Sequence, residues 1–173
     1  MTTKSQKGIS LIEVMVSLSI FALVVGGALS IFSGASASQT TTQMKSDISA
    51  IRSSVKGILY SQGNYGTSNI GLILIDSQKM PSSMTTTGTG SSRLINHTQG
   101  GTVTVTGATT QYTLAITHIT NDVCIGMVVG SSTNLVSVQI NTGTAITSFP
   151  VTPDTAAAQC NADAANAITY TVK

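Results

Sequence analysis

The chain has 173 residues, a length that allows one long helix and one modest globular domain. Only 8% of the residues are charged, the formal net charge is +2, and the basic residues are scattered along the sequence. This pattern argues against nucleic acid as a principal partner, because neutralising a phosphate backbone requires clustered Lys and Arg.

Residues 9–32 form an apolar segment that contains one acidic residue, Glu13. As a helix that rises about 1.5 Å per residue, this segment is long enough to cross a bilayer core of roughly 30 Å. Lys4 and Lys7 precede it, so the positive-inside rule predicts a cytoplasmic N-terminus and places the rest of the chain beyond the membrane. Residues 9–60 contain no proline, so one helix can continue well past the membrane.

Glu13 has no basic partner within reach on its own helix. The next basic residue is Lys45, about 48 Å further along a helix. A carboxylate within a membrane costs about 2.5–3.5 kcal/mol and usually has a partner, so the partner of Glu13 is expected elsewhere. A cut between Gly8 and Ile9 would create a positive α-amine, which can pair with Glu13 of another copy in a staggered bundle of helices.

The chain begins with a short basic leader that ends in Gly8, followed by Ile9, three further residues, Glu13 and an unbroken apolar run. This pattern resembles the N-terminus of the type IV prepilin family. The resemblance implies that a prepilin peptidase cleaves after Gly8 and N-methylates Ile9. The domain organisation then expected has four parts: a leader (1–8), a transmembrane and filament-core helix (9–32), the amphipathic second half of that helix (33–62), and a periplasmic α+β globular domain (63–173).

Two other interpretations of the N-terminal segment remain open. In the first, it is a signal peptide that ends near Ala37, and the chain is a secreted binding module. Ala35-Ser36-Ala37 fits the cleavage pattern, but residues 14–32 exceed the roughly 7–15 residues of a signal-peptide core. In the second, the segment is a plain membrane anchor in which Glu13 has no role.

Gly26 and Gly27 are the weak point of the predicted helix, because glycine costs about 1 kcal/mol relative to alanine in a helix interior. They either let a neighbouring helix pack closely or mark where the helix unwinds during assembly. The sequence leaves both alternatives open.

The second half of the helix has one apolar face, formed by Met44, Ile48, Ile51, Val55 and Ile58. The charged residues lie off this face and are predicted to be solvated: Lys45, Asp47, Arg52 and Lys56. We expect the apolar face to pack on the globular domain. A self-associating coiled coil, the alternative, would have only about two heptads.

The rest of the chain predicts a mixture of short helices and strands. Residues 69–81 suit a helix or a strand, and we favour a helix that ends before Pro81. Residues 82–92 are rich in Ser, Thr and Gly and are predicted to form a mobile surface loop. Two more short helices are expected, one over residues 123–129 and one over 153–160. The second has Thr152 as its N-cap, Pro153 in its first position and Asp154 in its first turn.

Alternating apolar residues and threonines predict four strands: residues 102–106, 111–120, 135–140 and 167–172, with a turn at 107–108 between the first two. One face of such a sheet is apolar and the other is polar, so we expect an antiparallel sheet covered on one side by the N-terminal helix. The predicted fold class is α+β, with a long N-terminal helix on an antiparallel sheet, as in the type IV pilin fold.

Cys124 and Cys160 both follow the membrane segment and therefore lie in an oxidising compartment if the predicted orientation holds. One intramolecular disulfide is expected, and two free buried thiols are the alternative. The spacing excludes a CxxC redox site, and a zinc site is excluded because His97 and His118 are the only other soft ligands.

The sequence contains no recognisable catalytic constellation. His97 and His118 are isolated, and no serine lies in a Gly-x-Ser-x-Gly elbow. The aspartates match no calcium-loop spacing. Asn96-His97-Thr98 fits the N-glycosylation sequon, which is a weak signal in a chain that resembles bacterial proteins. We therefore expect a protein that is not an enzyme and has no cofactor or metal.

Later landmarks extend the resemblance to the type IVb pilins, which include bundle-forming and conjugative thin-pilus subunits. The landmarks are Met80-Pro81, Leu94-Ile95-Asn96, residues 100–105, Cys124, Val151-Thr152-Pro153 and Cys160. The resemblance implies an inner-membrane precursor that polymerises through its N-terminal helix into an extracellular filament for adhesion, conjugation or aggregation. Its implied partners are other copies of the chain, prepilin peptidase, an assembly ATPase with its platform protein, and an outer-membrane secretin. A minor pilin or a type II secretion pseudopilin is the alternative within this class.

Overall fold

The structure, a computed structural model, describes residues 10–59, 63–129 and 134–173, with the backbone alone for residues 29–34. The chain divides into two units, Met1–Ala37 and Ser38–Lys173. Helix α1, Leu11–Leu59, contributes to both units and is continuous over its 49 residues. Its continuity agrees with the prediction of one long helix in a stretch without proline.

The described residues of the second unit contain short helices and a six-stranded sheet. The helices are α2 (Ile70–Asp76), α3 (Asn121–Val129), α4 (Pro153–Gln159) and a 3-10 turn at Gly90–Ser92. The strands are β1 (Thr85–Thr87), β2 (Leu94–Asn96), β3 (Thr102–Ala108), β4 (Gln111–Ile119), β5 (Leu135–Ile140) and β6 (Asn166–Val172). This architecture confirms the predicted α+β class with a long N-terminal helix and an antiparallel sheet.

The sheet has the strand order β1-β2-β3-β4-β6-β5, and every neighbouring pair is antiparallel. Tyr112, Leu114 and Ile116 of β4 are opposite Val172, Tyr170 and Ile168 of β6, and all six residues are buried. The alternate positions on the same strands hold Thr and Ala and are half-exposed. The period of two along each strand therefore produces one apolar face and one polar face, as predicted.

The second half of α1 packs against the apolar face of the sheet. Met44, Ile48, Ile51, Val55 and Leu59 belong to the same hydrophobic cluster as the buried strand residues. The Ser54 hydroxyl of α1 also donates to the Lys79 carbonyl oxygen at 3.0 Å, which joins the helix to the segment after α2. Burial raises the pKa of the Tyr112 phenol to about 12, and Arg52, which lies beside Tyr112, partly opposes this effect.

The short helices form where the sequence predicts them. Helix α2 ends at Asp76, before Pro81, and α3 begins at Asn121, two residues earlier than expected. At α4, the Thr152 hydroxyl accepts a hydrogen bond from the Thr155 N–H, and Pro153 occupies the first turn together with Asp154. These features satisfy a backbone donor that would otherwise be unpaired at the helix start.

The predicted loop over residues 82–92 was wrong in part. Residues 85–87 form strand β1, and residues 90–92 form the 3-10 turn. Met84 is buried in the core, which ties the start of this segment to the domain. Strand β2 was also missed, because three residues are too few to show an alternating pattern. The turn between β3 and β4 lies at Thr109-Thr110 instead of residues 107–108, which belong to β3.

The solvated face predicted for α1 was wrong at Asp47, which is buried with a relative exposure of 5%. Its Oδ1 accepts a hydrogen bond from Gln43 Nε2 at 3.0 Å, one helical turn away. Asp47 lies three residues after Met44 and four before Ile51, so it borders the apolar face and is covered with it. The buried sector of α1 is therefore wider than the apolar residues alone indicate.

Candidate functional site

Glu13 lies in the first turn of α1, at the start of the exposed apolar surface. Its N–H donates to the Ser10 carbonyl oxygen at 3.0 Å, and its own carbonyl oxygen accepts from the Ser17 hydroxyl at 2.8 Å. A carboxylate is favourable at a helix N-terminus, where backbone N–H groups leave a partial positive charge. Among the described residues no cation forms an ion pair with this carboxylate, which is exposed.

The helix around Glu13 is apolar on all sides. The segment Leu11–Ala28 is long and apolar enough to cross a membrane, and none of it is buried. Leu11 and Leu23 each expose 78% of their surface. Since an exposed apolar surface of this size is rare on a protein in water, the segment requires lipid or other helices around it. Val14, Ser17, Leu18 and Phe21 lie on the same side of the helix as Glu13.

The two glycines lie within this segment, and the helix is continuous through both of them. A Cβ atom added at Gly26 or Gly27 would meet nothing within 4 Å apart from the adjacent backbone of its own helix. The backbone at this position is therefore open to the close approach of another helix.

Gly8 and Ile9, the predicted cleavage and methylation site, lie outside the described residues. The leader and its basic residues, Lys4 and Lys7, lie outside them as well. The geometry described for the N-terminal region therefore begins at Ser10.

Cys124 of α3 and Cys160, the residue that follows α4, form the predicted disulfide, with a Cα–Cα distance of 5.9 Å. Both residues are buried. The bond joins two cysteines that are 36 positions apart in sequence and holds α3 against the end of α4.

A second set of contacts in the same region was not predicted. Asn166, fully buried at the start of β6, donates through Nδ2 to the Ile119 and Asp163 carbonyl oxygens and to Asn121 Oδ1, at 2.7–3.0 Å. Its Oδ1 accepts from Asn141 Nδ2 at 3.1 Å. An asparagine before an alternating strand is the only sequence signal for this network, and it does not reveal the distant partners.

His97 is a buried structural residue. Its Nε2 is 2.8 Å from the Thr117 carbonyl oxygen, and its Nδ1 accepts from the Gln99 N–H at 3.3 Å. This arrangement requires the neutral ring with the proton on Nε2. Burial lowers the pKa of His97, partly opposed by the hydrogen bond to Thr117, and the nearby His118 lowers it further. His118 is exposed and lies at the irregular part of β4 with a positive φ of 56°.

The aspartates do not form a metal site in the described part of the chain, where no group of three or more His, Cys, Asp and Glu residues comes together. Asp76 pairs with Arg93 at 2.6 Å. The Asn96 amide of the predicted sequon donates to the Thr87 hydroxyl at 2.8 Å. The chemically distinctive position is therefore Glu13 on its exposed apolar helix.

Comparison with known proteins identifies both parts of the chain. The family model described as "PilS N terminal" matches residues 37–173, and the "Prokaryotic N-terminal methylation motif" matches residues 3–29. The chain belongs to the PilS family of type IVb pilins. Two relatives, each a "Major structural subunit of bundle-forming pilus", come from Escherichia coli O111:H- and from Escherichia coli O127:H6 (strain E2348/69 / EPEC). Each is 27% identical over an alignment of 192 positions that covers 100% of this pilin and 97% of the relative.

Solved structures share the fold of this pilin. The crystal structure of a type IV b pilin from Salmonella typhi has a TM-score of 0.61 at 18% identity and covers 73% of this chain and 95% of its own. The structure of TcpA, a type IV pilin from Vibrio cholerae El Tor biotype, has a TM-score of 0.55 at 12% identity, with 78% and 99% coverage. These similarities confirm the predicted pilin fold.

Proposed function

We propose that this pilin is a structural subunit that polymerises with other copies into a type IVb pilus. The observation that carries the proposal is the exposed apolar surface of Leu11–Ala28, interrupted by the single carboxylate of Glu13. Such a surface is stable in a membrane before assembly and among other copies of the same helix afterwards. Burial of apolar surface stabilises a complex by about 25 cal/mol per Å². It therefore favours assembly wherever contacts with other helices replace contacts with water.

The N-terminal residues would act in processing and assembly. A prepilin peptidase removes residues 1–8 by cleaving between Gly8 and Ile9 and methylates the new α-amine of Ile9. The Glu13 carboxylate of one subunit then pairs with the Ile9 amine of its neighbour, which compensates the charge of both groups inside the helix bundle. The match of residues 3–29 to the methylation motif supports this sequence of events.

The proposed location changes during the life of the subunit. Before assembly, residues 9–32 span the inner membrane with the N-terminus in the cytoplasm, residues 33–62 form the outer half of the helix, and residues 63–173 form the periplasmic domain. After assembly, the subunit is part of an extracellular filament. An assembly ATPase with its platform protein and an outer-membrane secretin would carry out the transfer. The filament would serve adhesion, conjugation or aggregation, and the subunit itself has no catalytic activity.

The mass and N-terminal sequence of the subunit recovered from cells test this proposal. A chain that starts at Ile9, with about 14 Da added by one methyl group and about 2 Da lost to the disulfide, supports it. A chain that starts at Ser38 contradicts it and supports the secreted binding module. The continuity of α1 from Leu11 to Leu59 favours the pilin, because cleavage after Ala37 would cut through a helix.

The amount of this subunit in purified filaments separates the major pilin from the alternatives. A major pilin makes up most of the protein in the filament, whereas a minor pilin or pseudopilin is scarce in it or absent. We expect the first result, since the two relatives are major subunits and the match covers 97% of their length.

A further inference from the structure

The charges of the Ser38–Lys173 unit are segregated along the chain, and all of them lie on described residues. Arg93 and Asp76 form an ion pair, and Asp47 is buried. The remaining acids are exposed and all follow β4: Asp122, Asp154 and Asp163. Basic residues other than Arg93 lie on or just after α1 and α2, except Lys173 at the C-terminus: Lys45, Arg52, Lys56 and Lys79.

Three of these basic residues form a line on α1, which we call the basic stripe: Lys45, Arg52 and Lys56. They are separated by seven and four residues. At 3.6 residues per turn, all three lie within about 20° of one line along the helix, and the line is about 16 Å long. Each is half-exposed, and neither lysine forms an ion pair with another described residue.

The exposed side chains of α1 next to the basic stripe are short. The exposed residues there are all small: Ser46, Ser49, Ala50, Ser53 and Gly57. A Cβ added at Gly57 would meet nothing within 4 Å apart from the adjacent backbone of its own helix. Another surface can therefore approach the α1 backbone closely enough to reach Lys45 and Lys56 without displacing any part of the same copy.

Two of the exposed acids lie at one corner of the fold, which we call the acidic corner: Asp122 and Asp163. Asn166 Nδ2 donates both to Asn121 Oδ1 at 2.7 Å and to the Asp163 carbonyl oxygen at 2.9 Å. The disulfide joins α3 and the end of α4 beside them. The corner is therefore held rigidly, and neither carboxylate forms an ion pair with a described residue of its own copy.

We propose that the basic stripe of one subunit docks against the acidic corner of a neighbouring subunit in the filament. The inference rests on the proposed function, because it requires that the chain polymerise. A second copy is the occupant because every copy supplies the two lysines and the two carboxylates, and none of the four forms an ion pair with a described residue of its own copy. Opposite charges on different parts of one surface orient the copies and specify which faces meet.

Charge reversal in the full chain, expressed in its native cells, tests the docking. The variant Lys45→Glu/Lys56→Glu is expected to lower the yield of filaments about tenfold or more, because each interface then brings like charges together. Adding Asp122→Lys/Asp163→Lys to the same chain restores the opposite charges and is expected to restore filament yield. Arg52 is left unchanged because it lies beside Tyr112 in the core.

The control is Lys79→Glu/Lys173→Glu, which changes the net charge equally at exposed positions off the stripe. We expect it to assemble like the wild type. The disulfide in membrane-extracted subunits, read by gel mobility with and without reductant, verifies that each variant has folded.

Three results would overturn the docking: normal assembly of Lys45→Glu/Lys56→Glu, equal loss in the control, or no restoration by the four-residue exchange. In the last case the stripe contacts another partner, such as anionic lipid headgroups, instead of the acidic corner. Failure of the proposed function is distinguishable, because the wild-type subunit would then be absent from filaments altogether.

Discussion

At the scale of single residues, Glu13 is the group whose chemistry differs most from its surroundings. It is a carboxylate in the first turn of a helix whose other side chains, up to Ala28, are apolar or small and uncharged. Its environment in the isolated chain supplies backbone and hydroxyl contacts but no cation among the described residues. The proposed pairing with the Ile9 amine of another copy would supply the opposite charge.

The variant Glu13→Gln tests this role with almost no change in shape. Glutamine has no negative charge and attracts an α-amine only weakly. We therefore expect the amount of subunit in sheared filaments to fall about tenfold or more, which corresponds to roughly 1.4 kcal/mol. The subunit should still be processed and retained in the membrane. Ser17→Ala is the matched control, because it removes a neighbouring helix hydroxyl without changing the charge. Equal filament yields from Glu13→Gln and the wild type would rule out the charge pairing.

His97 predicts how stability depends on pH. Burial lowers its folded-state pKa below the ordinary value of 6.5. Between the two values the unfolded chain binds a proton that the folded chain does not, so the free energy of unfolding falls as the pH falls below about 6.5. The loss continues until the pH reaches the folded-state pKa of His97. Protonation also removes the acceptor that Nδ1 offers to the Gln99 N–H.

Thermal unfolding of detergent-solubilised subunits at pH 7.5 and pH 5.0 measures this effect. The wild type should lose stability at the lower pH, and His97→Gln should lose less. His118→Gln serves as the control, because His118 is exposed and its replacement should leave most of the pH dependence intact. An unchanged pH dependence in His97→Gln would show that His97 is not the group responsible.

At the scale of elements, patterns that repeat were predicted well and isolated positions were not. The alternation in β3, β4, β5 and β6 located those strands, and the Thr152-Pro153 start located α4. Strands β1 and β2 have three residues each, too few for a pattern, and form because their neighbours in the sheet supply hydrogen bonds. Local sequence carries no information about such partners.

The candidate site shows the same limit. Glu13 and the cysteine pair are chemically unusual where they occur, so the sequence was sufficient to single them out. Asn166 and Asn141 are ordinary polar residues whose importance comes from contacts with residues 25 to 47 positions away. Asp47 was misassigned because the width of a buried helix face depends on what covers it.

Replacing glycine by alanine is expected to have opposite effects on stability at Gly101 and at Gly57. A Cβ at Gly101 would collide with the Thr117 carbonyl oxygen and with His97 Nε2. Gly101→Ala is therefore expected to destabilise the subunit by about 1–3 kcal/mol. Gly57 has open space around it within α1, so Gly57→Ala is expected to stabilise by up to about 1 kcal/mol. Chemical denaturation of the two variants beside the wild type measures both shifts, and equal effects would contradict this description of the β2–β3 connection.

At the scale of the whole molecule, the two units have different tasks. The Met1–Ala37 unit holds exposed apolar surface that requires a membrane or other chains. The Ser38–Lys173 unit has its own buried core and a disulfide. The residues of the buried core are therefore different from the exposed residues that we propose to contact other copies, which allows stability and assembly to be changed separately.

The disulfide should contribute measurably to the stability of the second unit. Under the chain-entropy model, a loop of this length is stabilised by roughly 3–4 kcal/mol when closed. We expect Cys124→Ser/Cys160→Ser to lower the free energy of unfolding by about this amount. Denaturation with and without reductant provides the control, because reduction should weaken the wild type and leave the variant unchanged. No difference between the oxidised wild type and the variant would contradict the prediction.

The two edge strands of the sheet limit aggregation between copies that lie close together. One edge strand, β1, has only three residues, and the other, β5, is partly covered by the paired backbone hydrogen bonds between Val138 and Ile146. Short or covered edges offer little template for strand addition, the route by which many proteins form irreversible aggregates. Copies can thus be crowded side by side through helices and charges while each sheet remains closed to its neighbours.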